Sequence, residues 1–370
     1  RRERVPRQAG AASGEERDHR RAAAHDHVVA NGHMARDHHV VGEDNAIPEP
    51  GIVANVRIGK KRAAVADDRL QAAALNRRDF WITQGGYPNI QAPCILGSDG
   101  AGIVETVGEG VDPCWLGKQV VINPSLNWGD SQEAQGENFR ILGMPDHGTF
   151  AEKIAVPAGQ LVEKPAHLTV HEAAALPLAT LTAYRALFSQ GRLQSGESIL
   201  ITGIGGGVAT VALKIAHAIG SRVLVSSSSE DKLARAISLG ASAGVNYTGK
   251  NWSERFLAAN GSVDLVLDGA AGAGFGDLLP LVRPGGRVVS YGGTAGPSVT
   301  FPIRYHFWNQ LQLIGSTMGS PADFAGMVAF AEKHELRPEI DSITPLAEGA
   351  GLIQSMTGSP QFGKLVLQIA

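Results

Sequence analysis

"SILITGIGGGVATVALKIAHAIG" (residues 198–220) is the stretch that decides the fold. Its first five residues form a short apolar run bounded by turn residues, which is typical of a buried strand. After the glycines, apolar residues recur at the spacing of one helix face: Val208, Val211, Ala212 and Ile215. The sequence therefore predicts a strand, a glycine turn and a helix in immediate succession, which is the context that gives a glycine pattern its meaning.

The glycine turn predicts a dinucleotide site. Glycine lets the backbone turn tightly and lets a pyrophosphate approach without a side chain in the way. The helix that follows offers free N–H groups and a partial positive charge at its first turn. Ala209 stands where the third glycine of such patterns packs the helix on the strand, and alanine is tolerated there. The predicted cofactor-binding residues of this turn are Gly203, Gly205, Gly206, Gly207 and Val208.

Strand-like and helix-like stretches continue to alternate after residue 220. Residues 222–226, 243–247, 263–269, 287–293 and 311–317 have the composition of strands, and residues 230–240 and 251–260 have that of helices. Alternation of this kind is typical of a parallel sheet that is covered by helices on both faces. The fold class is therefore α/β, with a doubly wound parallel sheet.

The second predicted strand ends in serines, where a carboxylate is expected in an NADH site. An acid at this tip accepts hydrogen bonds from both ribose hydroxyls and repels a 2′-phosphate. This chain has Ser226, Ser227 and Ser228 there, and Lys232 follows one helical turn later. Hydroxyls can donate to phosphate oxygens and the ammonium adds a positive charge. The pattern predicts NADPH as cofactor; a solvated serine-rich turn without a ligand is the alternative.

Length and composition limit the classes of protein. The 370 residues are enough for two domains, 43% are apolar and the net charge is −3, so a polyanionic partner such as nucleic acid is not expected. No apolar run has the length of a membrane span. Two cysteines, Cys94 and Cys114, are too few for a disulfide framework or a four-thiolate metal site. We expect a cytoplasmic protein with no membrane partner.

Several motifs, in order, resemble those of a known superfamily. They include "AAALNRRDFWITQGGYP" (72–88), "LGSDGAGIVETVGEGV" (96–111), "LPLATLTAYRAL" (176–187), the glycine turn and the closing "GKLVL" (363–367). Together they cover about four-fifths of the chain, residues 72–370. The chain resembles the medium-chain dehydrogenase/reductase superfamily, and within it the zinc-independent branch that is similar to quinone oxidoreductases.

The resemblance implies a GroES-like β-barrel catalytic domain plus a Rossmann domain. It assigns residues 47–171 and 306–370 to the former and 172–305 to the latter, with the active site between them and a homodimer as the assembly. The implied function is NADPH-dependent hydride transfer to a quinone, an enone or a related carbonyl without a metal. An alcohol dehydrogenase-like enzyme acting on alcohols and aldehydes, and a non-catalytic NADPH-binding protein, are the alternatives.

The resemblance also implies individual site residues. Asn76 and Tyr87 are expected to face the acceptor oxygen as hydrogen-bond donors, and Asp79 to orient the loop; a local turn network is the alternative for Asn76 and Asp79. Further cofactor contacts are expected from three residues: Thr182 near the nicotinamide, Tyr247 near the 2′-phosphate, and Gly292.

No catalytic or structural zinc is expected. In the metal-dependent alcohol dehydrogenases of the superfamily, a cysteine stands in the place of Asn76 and a His-Glu pair in the place of Ser98 and Asp99. Amide and hydroxyl groups are poor zinc ligands beside thiolate and imidazole. The loop at 127–143, in the place of the structural-zinc lobe, contains no cysteine.

The N-terminal part departs from the family pattern. The first aromatic residue is Phe80, and six of the twelve histidines lie within the first 39 residues. Residues 1–46 are predicted to be poorly ordered, since a segment without large apolar residues buries too little area to fold. Residues 1–71 also show too little of the apolar alternation of opening barrel strands, although residues 51–58 have the β-branched composition of one strand. A frame-shifted reading of this segment is one hypothesis, under which the opening strands are absent and an edge is unpaired.

Overall fold

The computed structural model describes residues 65–369, so the expectations for residues 1–46 and 51–58 lie outside the described part. No helix of the described part is both long and apolar enough to span a membrane. Between residues 65 and 163 the structure has seven strands and one α-helix: β1 (Val65–Ala74), α1 (Arg77–Thr83), β2 (Asp99–Val107), β3 (Gln119–Ile122), β4 (Ser125–Leu126), β5 (Arg140–Ile141), β6 (Lys153–Pro157) and β7 (Leu161–Glu163).

The remaining residues add eight strands and eight helices to the described part. They are α2 (Val170–Ala175), α3 (Pro177–Tyr184), β8 (Ser198–Ile201), α4 (Gly207–Ala218), β9 (Arg222–Ser227), α5 (Glu230–Ser238), β10 (Ala243–Asn246), α6 (Trp252–Asn260), β11 (Val263–Asp268), β12 (Val282–Ser290), α7 (Ile303–Trp308), β13 (Gln312–Gly315), α8 (Pro321–Lys333), β14 (Ile340–Pro345), α9 (Gly349–Ser355) and β15 (Lys364–Gln368).

The first sheet has seven strands and is built around β1. Its order is β14-β15-β1-β2-β3-β7, and β6 pairs with β1 as well. β1 is antiparallel to β2, β6 and β15. The hypothesis that residues 1–71 contribute no barrel strand is therefore wrong for residues 65–71. When a strand pairs along both edges, its partners determine its extended conformation. Its own sequence therefore does not need strict apolar alternation.

The second sheet has six strands, all parallel, in the order β10-β9-β8-β11-β12-β13. This is the predicted doubly wound sheet, with each strand close to its predicted position. The sheet extends past residue 305, the limit given to the nucleotide-binding domain, because α7 returns the chain to the sheet edge as β13.

Both faces of the parallel sheet are buried. Ile199 and Ile201 of β8 pack into one hydrophobic cluster with α3 and α4, while Leu200 packs into a second cluster with α6 and Phe275. Neighbouring residues of a strand point to opposite faces, so one fully buried strand serves two cores. The glycine turn therefore follows directly after a strand that is buried on both faces.

The two sheets meet where the glycine turn touches the start of β15. The Gly363 N–H donates to the Gly205 carbonyl at 2.8 Å, and Gly206 forms a bridge with Gly363. At the same place the Leu178 N–H at the start of α3 donates to Asp99 of β2 at 2.7 Å. These contacts place the carboxyl edge of the parallel sheet beside the barrel residues that the sequence singled out.

Candidate active site

The glycine turn has the backbone conformation that its sequence predicts. Gly203 and Gly205 adopt φ angles of 61° and 131°, where residues with a side chain are strained. The Gly206 cap of α4 supplies no side chain to the first helical N–H groups, and a helix start of this kind is suited to an anion. The strand, turn and helix are therefore confirmed, while phosphate binding stays a prediction.

The tip of β9 lies directly against the turn. Ser226 and Ser227 are buried; the Ser226 Oγ accepts from the Gly203 N–H at 3.4 Å and the Ser227 Oγ from the Ser229 N–H at 3.1 Å. The Tyr247 N–H donates to the Ser227 carbonyl at 3.2 Å, and its side chain is exposed. Both serine hydroxyls keep their own hydrogen, so the tip still offers O–H donors to a ligand.

Lys232 reaches the other side of the turn. A Cβ added at Gly205 would lie 2.9 Å from Lys232 Cδ, and the Lys232 ammonium donates to the Ser359 carbonyl at 2.6 Å. Burial lowers the pKa of this ammonium, and the guanidinium groups of Arg235 and Arg77 lower it further against an opposing effect of Asp341. Three side-chain cations therefore gather beside the glycine turn.

A buried polar cluster lies on the barrel side of the turn. The Lys364 ammonium donates to the Leu75 carbonyl at 2.7 Å, to Asn76 Oδ1 at 2.7 Å and to Asp99 Oδ2 at 2.8 Å. The Asn76 amide donates to the same Asp99 oxygen at 2.9 Å, and the other Asp99 oxygen accepts from the Leu178 N–H. Asp99 is fully buried, yet both of its oxygens have partners, as a buried carboxylate requires.

The position next to Asn76 carries a second buried cation. The Arg78 guanidinium donates from Nη1 to Ser98 Oγ and to the Leu142 carbonyl, both at 2.8 Å, and from Nη2 to the Met144 carbonyl at 3.2 Å. It also lies under the Tyr87 ring, 5.1 Å from the ring centroid, with Nε 3.4 Å from the hydroxyl. The Tyr87 hydroxyl, which sequence places in the site, is thus held beside a guanidinium.

Asp79 is fully buried and only half satisfied. Its Oδ2 accepts from the Asn76 N–H at 2.8 Å, and its Oδ1 has no partner among the described residues. Burial raises the pKa of this carboxyl to about 6, although the Asn76 hydrogen bond and the charges of Arg78 and Lys364 oppose the shift. Asp79 thus binds the backbone at the start of α1 with a carboxyl whose pKa lies near neutral pH, and its role in orienting the loop stays a prediction.

A cavity of about 410 Å³ opens at the carboxyl ends of β12 and β13. Gly292 lines it together with Ser290 and Ser316, and the buried Ser316 Oγ has no partner among residues 65–369. Ligands of doubly wound sheets bind at this edge. The Thr182 hydroxyl donates to the Leu178 carbonyl of its own helix at 2.8 Å. The contact of Thr182 with the cofactor stays a prediction.

Arg185 holds one wall of this cavity in place. Its Nη2 donates to the carbonyls of Gln132 and Glu133 at 3.0 and 2.7 Å, and its Nη1 to Asp323 Oδ2 at 2.6 Å. The guanidinium also stacks on Trp128, 4.9 Å from the ring centroid. The loop at 127–143, which lacks cysteine, is therefore anchored by a buried cation.

Comparison with known proteins places this geometry in a family. The family model described as alcohol dehydrogenase GroES-like domain matches residues 69–166, and the one described as zinc-binding dehydrogenase matches residues 207–333. A zinc-type alcohol dehydrogenase-like protein, YogA, of Leptosphaeria maculans is 37% identical over 81% of this chain and 89% of its own. The chain belongs to the medium-chain dehydrogenase/reductase superfamily.

Two further comparisons agree. The crystal structure of an NAD-dependent alcohol dehydrogenase is 34% identical, with a TM-score of 0.79 over 86% of this chain and 95% of that one. A crotonyl-CoA carboxylase/reductase of Cereibacter sphaeroides is 31% identical over 75% of this chain and 74% of its own. The resemblance seen in the sequence is confirmed as far as the alcohol dehydrogenase-like branch, and this dehydrogenase is an NAD(P)-dependent oxidoreductase that acts on a small molecule.

The family name raises the question of zinc, and the donors in this dehydrogenase do not fit that ion. The positions that correspond to the catalytic ligands hold an amide, a hydroxyl and a carboxylate, and the Lys364 ammonium already bonds Asn76 and Asp99. Within residues 65–369, no three side chains of His, Cys, Asp or Glu come together as a ligand set. Catalytic zinc sites use three imidazole, thiolate or carboxylate ligands, so no step is assigned to a metal here.

Sequence reasoning missed two cations of the site. Arg78 stands inside the quoted Asn-x-x-Asp motif, and Lys364 is the lysine of the closing "GKLVL" motif. The chain gives a signal for Lys364, a charged residue directly before the apolar run of residues 365–367 in a segment that must be buried. Arg78 lies between Arg77 and Asp79 and gives no such signal. The partners of the two cations were not predictable, since Lys364 and Asn76 lie 288 residues apart in the chain.

Proposed function

We propose that this dehydrogenase is an NADPH-dependent reductase that delivers hydride to a quinone, an enone or a related carbonyl without a metal. The observation that carries the proposal is the Tyr87 hydroxyl held beside the Arg78 guanidinium, at a corner where metal-dependent relatives place ligands. A donor and a cation at this place can stabilise an oxygen that becomes negative during reduction.

The cofactor proposal depends on the surroundings of the glycine turn. The turn and the first N–H groups of α4 are suited to a pyrophosphate. The hydroxyls at the tip of β9, the exposed Tyr247 and the Lys232 ammonium surround the adenosine end that we assign to this rim. Since Lys232 forms no ion pair among the described residues, a 2′-phosphate would supply its missing counter-charge.

The residues of the chain have defined parts in this reaction. When bound, the nicotinamide supplies the hydride, which is the chemistry of the cofactor itself. Hydride addition leaves an electron pair on the acceptor oxygen, and the Tyr87 O–H donates to that oxygen. The Arg78 guanidinium lies beside the Tyr87 oxygen that gives up this proton, and solvent returns the proton. Asn76 fixes Asp99 and Lys364 beside this centre.

Among the acceptors, an α,β-unsaturated carbonyl is favoured. The crotonyl-CoA carboxylase/reductase that is 31% identical carries, by its name, an unsaturated thioester as substrate. Addition of hydride to the β-carbon of such a group places the charge on the carbonyl oxygen, as in an enone. The cavity of about 410 Å³, lined by Ser290, Ser316 and Gln190, has the volume of a small-molecule site.

A panel of acceptors tests this function. NADPH oxidation is followed with an enone, a quinone, an unsaturated thioester and an aldehyde, each with and without prior chelation. Turnover of one of the first three acceptors that survives chelation supports the proposal. Turnover of the aldehyde alone that is lost on chelation indicates the alcohol dehydrogenase-like alternative, which the similarity to an NAD-dependent alcohol dehydrogenase favours. NADPH binding without any turnover indicates a non-catalytic protein.

We also propose a homodimer, through the edge strand β13 and the neighbouring α7. Ile303, Phe307 and Trp308 of α7 are 62%, 59% and 73% exposed. An apolar patch beside an open sheet edge is typical of an association surface. Light scattering of the wild type and of Trp308→Glu tests this: we expect a dimer and a monomer, respectively, and a wild-type monomer would contradict it.

A further inference from the structure

The corner formed by Asn76, Ser98 and Asp99 holds protein cations where metal-dependent relatives hold a metal. Lys364 is 4% exposed at its side chain, and its three ammonium hydrogens have three acceptors within 2.8 Å. Two of these acceptors are Asn76 Oδ1 and Asp99 Oδ2, the atoms that would otherwise face a metal ion. The ammonium therefore uses the same lone pairs that coordination would need.

The third corner residue is occupied as well. Ser98 Oγ accepts from Arg78 Nη1 at 2.8 Å and donates its own hydrogen to the Leu142 carbonyl at 2.7 Å. Ser98 and Arg78 are buried, so these bonds are not exchanged with bulk water. Each of the three corner side chains is thus bonded to a positively charged side chain.

The charges of the corner balance without a metal. Arg78 and Lys364 stand against the buried carboxylates of Asp79 and Asp99. Both cations lower the pKa of the Asp79 carboxyl, although burial and Asp99 raise it more. A divalent ion placed in this corner would add two positive charges to a centre that is already neutralised, and repulsion at such distances is strong in a buried site.

The stem of Lys364 packs closely against the start of α4. A Cβ added at Gly207 would lie 2.7 Å from Lys364 Cδ. The backbone before it is fixed by the bond from the Gly363 N–H to the Gly205 carbonyl. The backbone and the stem of Lys364 are therefore positioned by the glycine turn, and the ammonium is positioned by its three acceptors.

We infer that Lys364 occupies the metal position and, together with Arg78, closes this corner to divalent cations by charge. The types of the three corner side chains are thus one reason why the corner does not suit a metal ion, and the two cations are the other. Restoring thiolate and imidazole ligands at positions 76 and 98 is therefore not sufficient for metal binding as long as the ammonium remains. This inference deepens the proposed metal-independent function and rests on it for its biological meaning.

Cobalt titration of three proteins tests the inference. They are the wild type, the double variant Asn76→Cys/Ser98→His, and the same double variant with Lys364→Met. Visible absorption reports thiolate-bound Co²⁺, and the thermal midpoint reports stabilisation by the bound ion. We expect no binding by the wild type and, in the triple variant, an affinity at least about 100-fold higher than in the double variant. Equal affinities of the double and triple variants, or stoichiometric binding by the wild type, would overturn the inference.

Matched controls separate charge from loosened packing. Arg287→Met in the double-variant background removes another buried cation, the partner of Glu197, and is expected to leave cobalt affinity unchanged. All variants carry Cys94→Ser and Cys114→Ser, which exclude the native thiols. Should Lys364→Met not fold, Lys364→Gln removes the charge and keeps a donor for Asn76, and the same affinity difference decides. No hydride transfer is measured, so failure of the acceptor panel is a separate result.

Discussion

Two lysines flank the glycine turn of this dehydrogenase, and they differ in how their charge is met. Lys364 lies on the barrel side against Gly207, and Lys232 lies on the outer side against Gly205. Lys364 has a carboxylate and two further acceptors within 2.8 Å. Lys232 has one backbone carbonyl and no ion pair among residues 65–369. One cation is satisfied by the fold, whereas the other is left for a ligand.

The difference shows how a fold separates stabilising from binding charges. A buried ion pair that is fully hydrogen-bonded resists the loss of either partner, because the remaining charge would be stranded. A half-buried cation near other cations has a lowered pKa and gains from an incoming anion, as for Lys232 beside Arg77 and Arg235. The comparison assigns Lys364 to the integrity of the active-site corner and agrees with the proposal that Lys232 contacts the cofactor.

The largest expected effect is that of Lys364→Met on stability. The change strands the Asp99 carboxylate, which is fully buried, so the free energy of unfolding should fall by about 3–5 kcal/mol. Denaturant unfolding monitored by tryptophan fluorescence measures this loss. Lys232→Met in parallel should cost less than about 1 kcal/mol, since its acceptor is a carbonyl near solvent.

A double-mutant cycle gives the control for this prediction. Asp99→Asn combined with Lys364→Met removes both charges, so we expect a substantial part of the stability to return. If the double variant is as unstable as the sum of the two single variants, the ion pair is not the cause. The contrast between the two lysines would then be lost.

The next effect concerns Asp79, whose buried carboxyl shares the corner with Lys364. Its pKa is raised from 3.8 to about 6 in the folded protein, so the folded state binds its proton more tightly than the unfolded state. The resulting stability is present below pH 3.8 and is lost as the pH rises through about 6, by about 3 kcal/mol. Asp79→Asn should remove this dependence from unfolding curves collected across the range.

The exposed carboxylate of Asp130 provides a control for the pH series. Asp130→Asn should leave the slope of unfolding free energy against pH unchanged, because this side chain is exposed to solvent. An unaltered slope in Asp79→Asn would show that another group causes the pH dependence. The Asp79 carboxyl would then not be the group that binds the extra proton in the folded state.

Much of the fold could be predicted from the sequence because its signals are local. The alternation from Ser198 onward and the glycines after β8 report on their own backbone. β1 was missed because its pairing with β2, β6 and β15 decides its conformation, and none of these partners is near it in sequence. Local patterns report conformation, whereas pairing and burial depend on residues far away.

The same distinction holds for the candidate site. The turn from Gly203 to Gly207 and the serines of β9 are adjacent in the structure and were predicted together. Asn76 is expected to donate to the acceptor; its Nδ2 donates to Asp99 and its Oδ1 accepts from Lys364, so a donation to the acceptor stays a prediction for its second N–H. A side chain in a motif can be recognised by its type, but its partner decides whether it is available.

Lys232→Ala tests the outer lysine by its effect on binding. Removal of the ammonium should weaken NADPH about tenfold, because a charge-assisted contact at the edge of solvent is worth about 1–2 kcal/mol. NADH affinity should change by less than about twofold. Fluorescence titration with both cofactors measures the two values, and the NADPH effect should shrink at high salt. An equal loss for both cofactors would assign Lys232 to the pyrophosphate instead of the 2′-phosphate.

The smallest expected effect is that of a carboxylate at the exposed end of the serine run. Ser228→Asp adds a negative charge beside the rim that Lys232 makes positive, at a position that solvent screens. NADPH affinity should fall by about threefold to fivefold, while NADH affinity stays the same or rises slightly. Ser228→Asn is the control, since it has the same shape without the charge, and should bind both cofactors as the wild type does.

If Ser228→Asn weakens NADPH as much as Ser228→Asp does, the Ser228 hydroxyl itself acts as a donor and charge is not what the rim selects. If neither variant changes the ratio of the two affinities, the adenosine end does not lie against this tip. The role of Lys364 in the fold would then stand, whereas the role of Lys232 in cofactor binding would not. The contacts of Lys364 do not depend on where the adenosine binds.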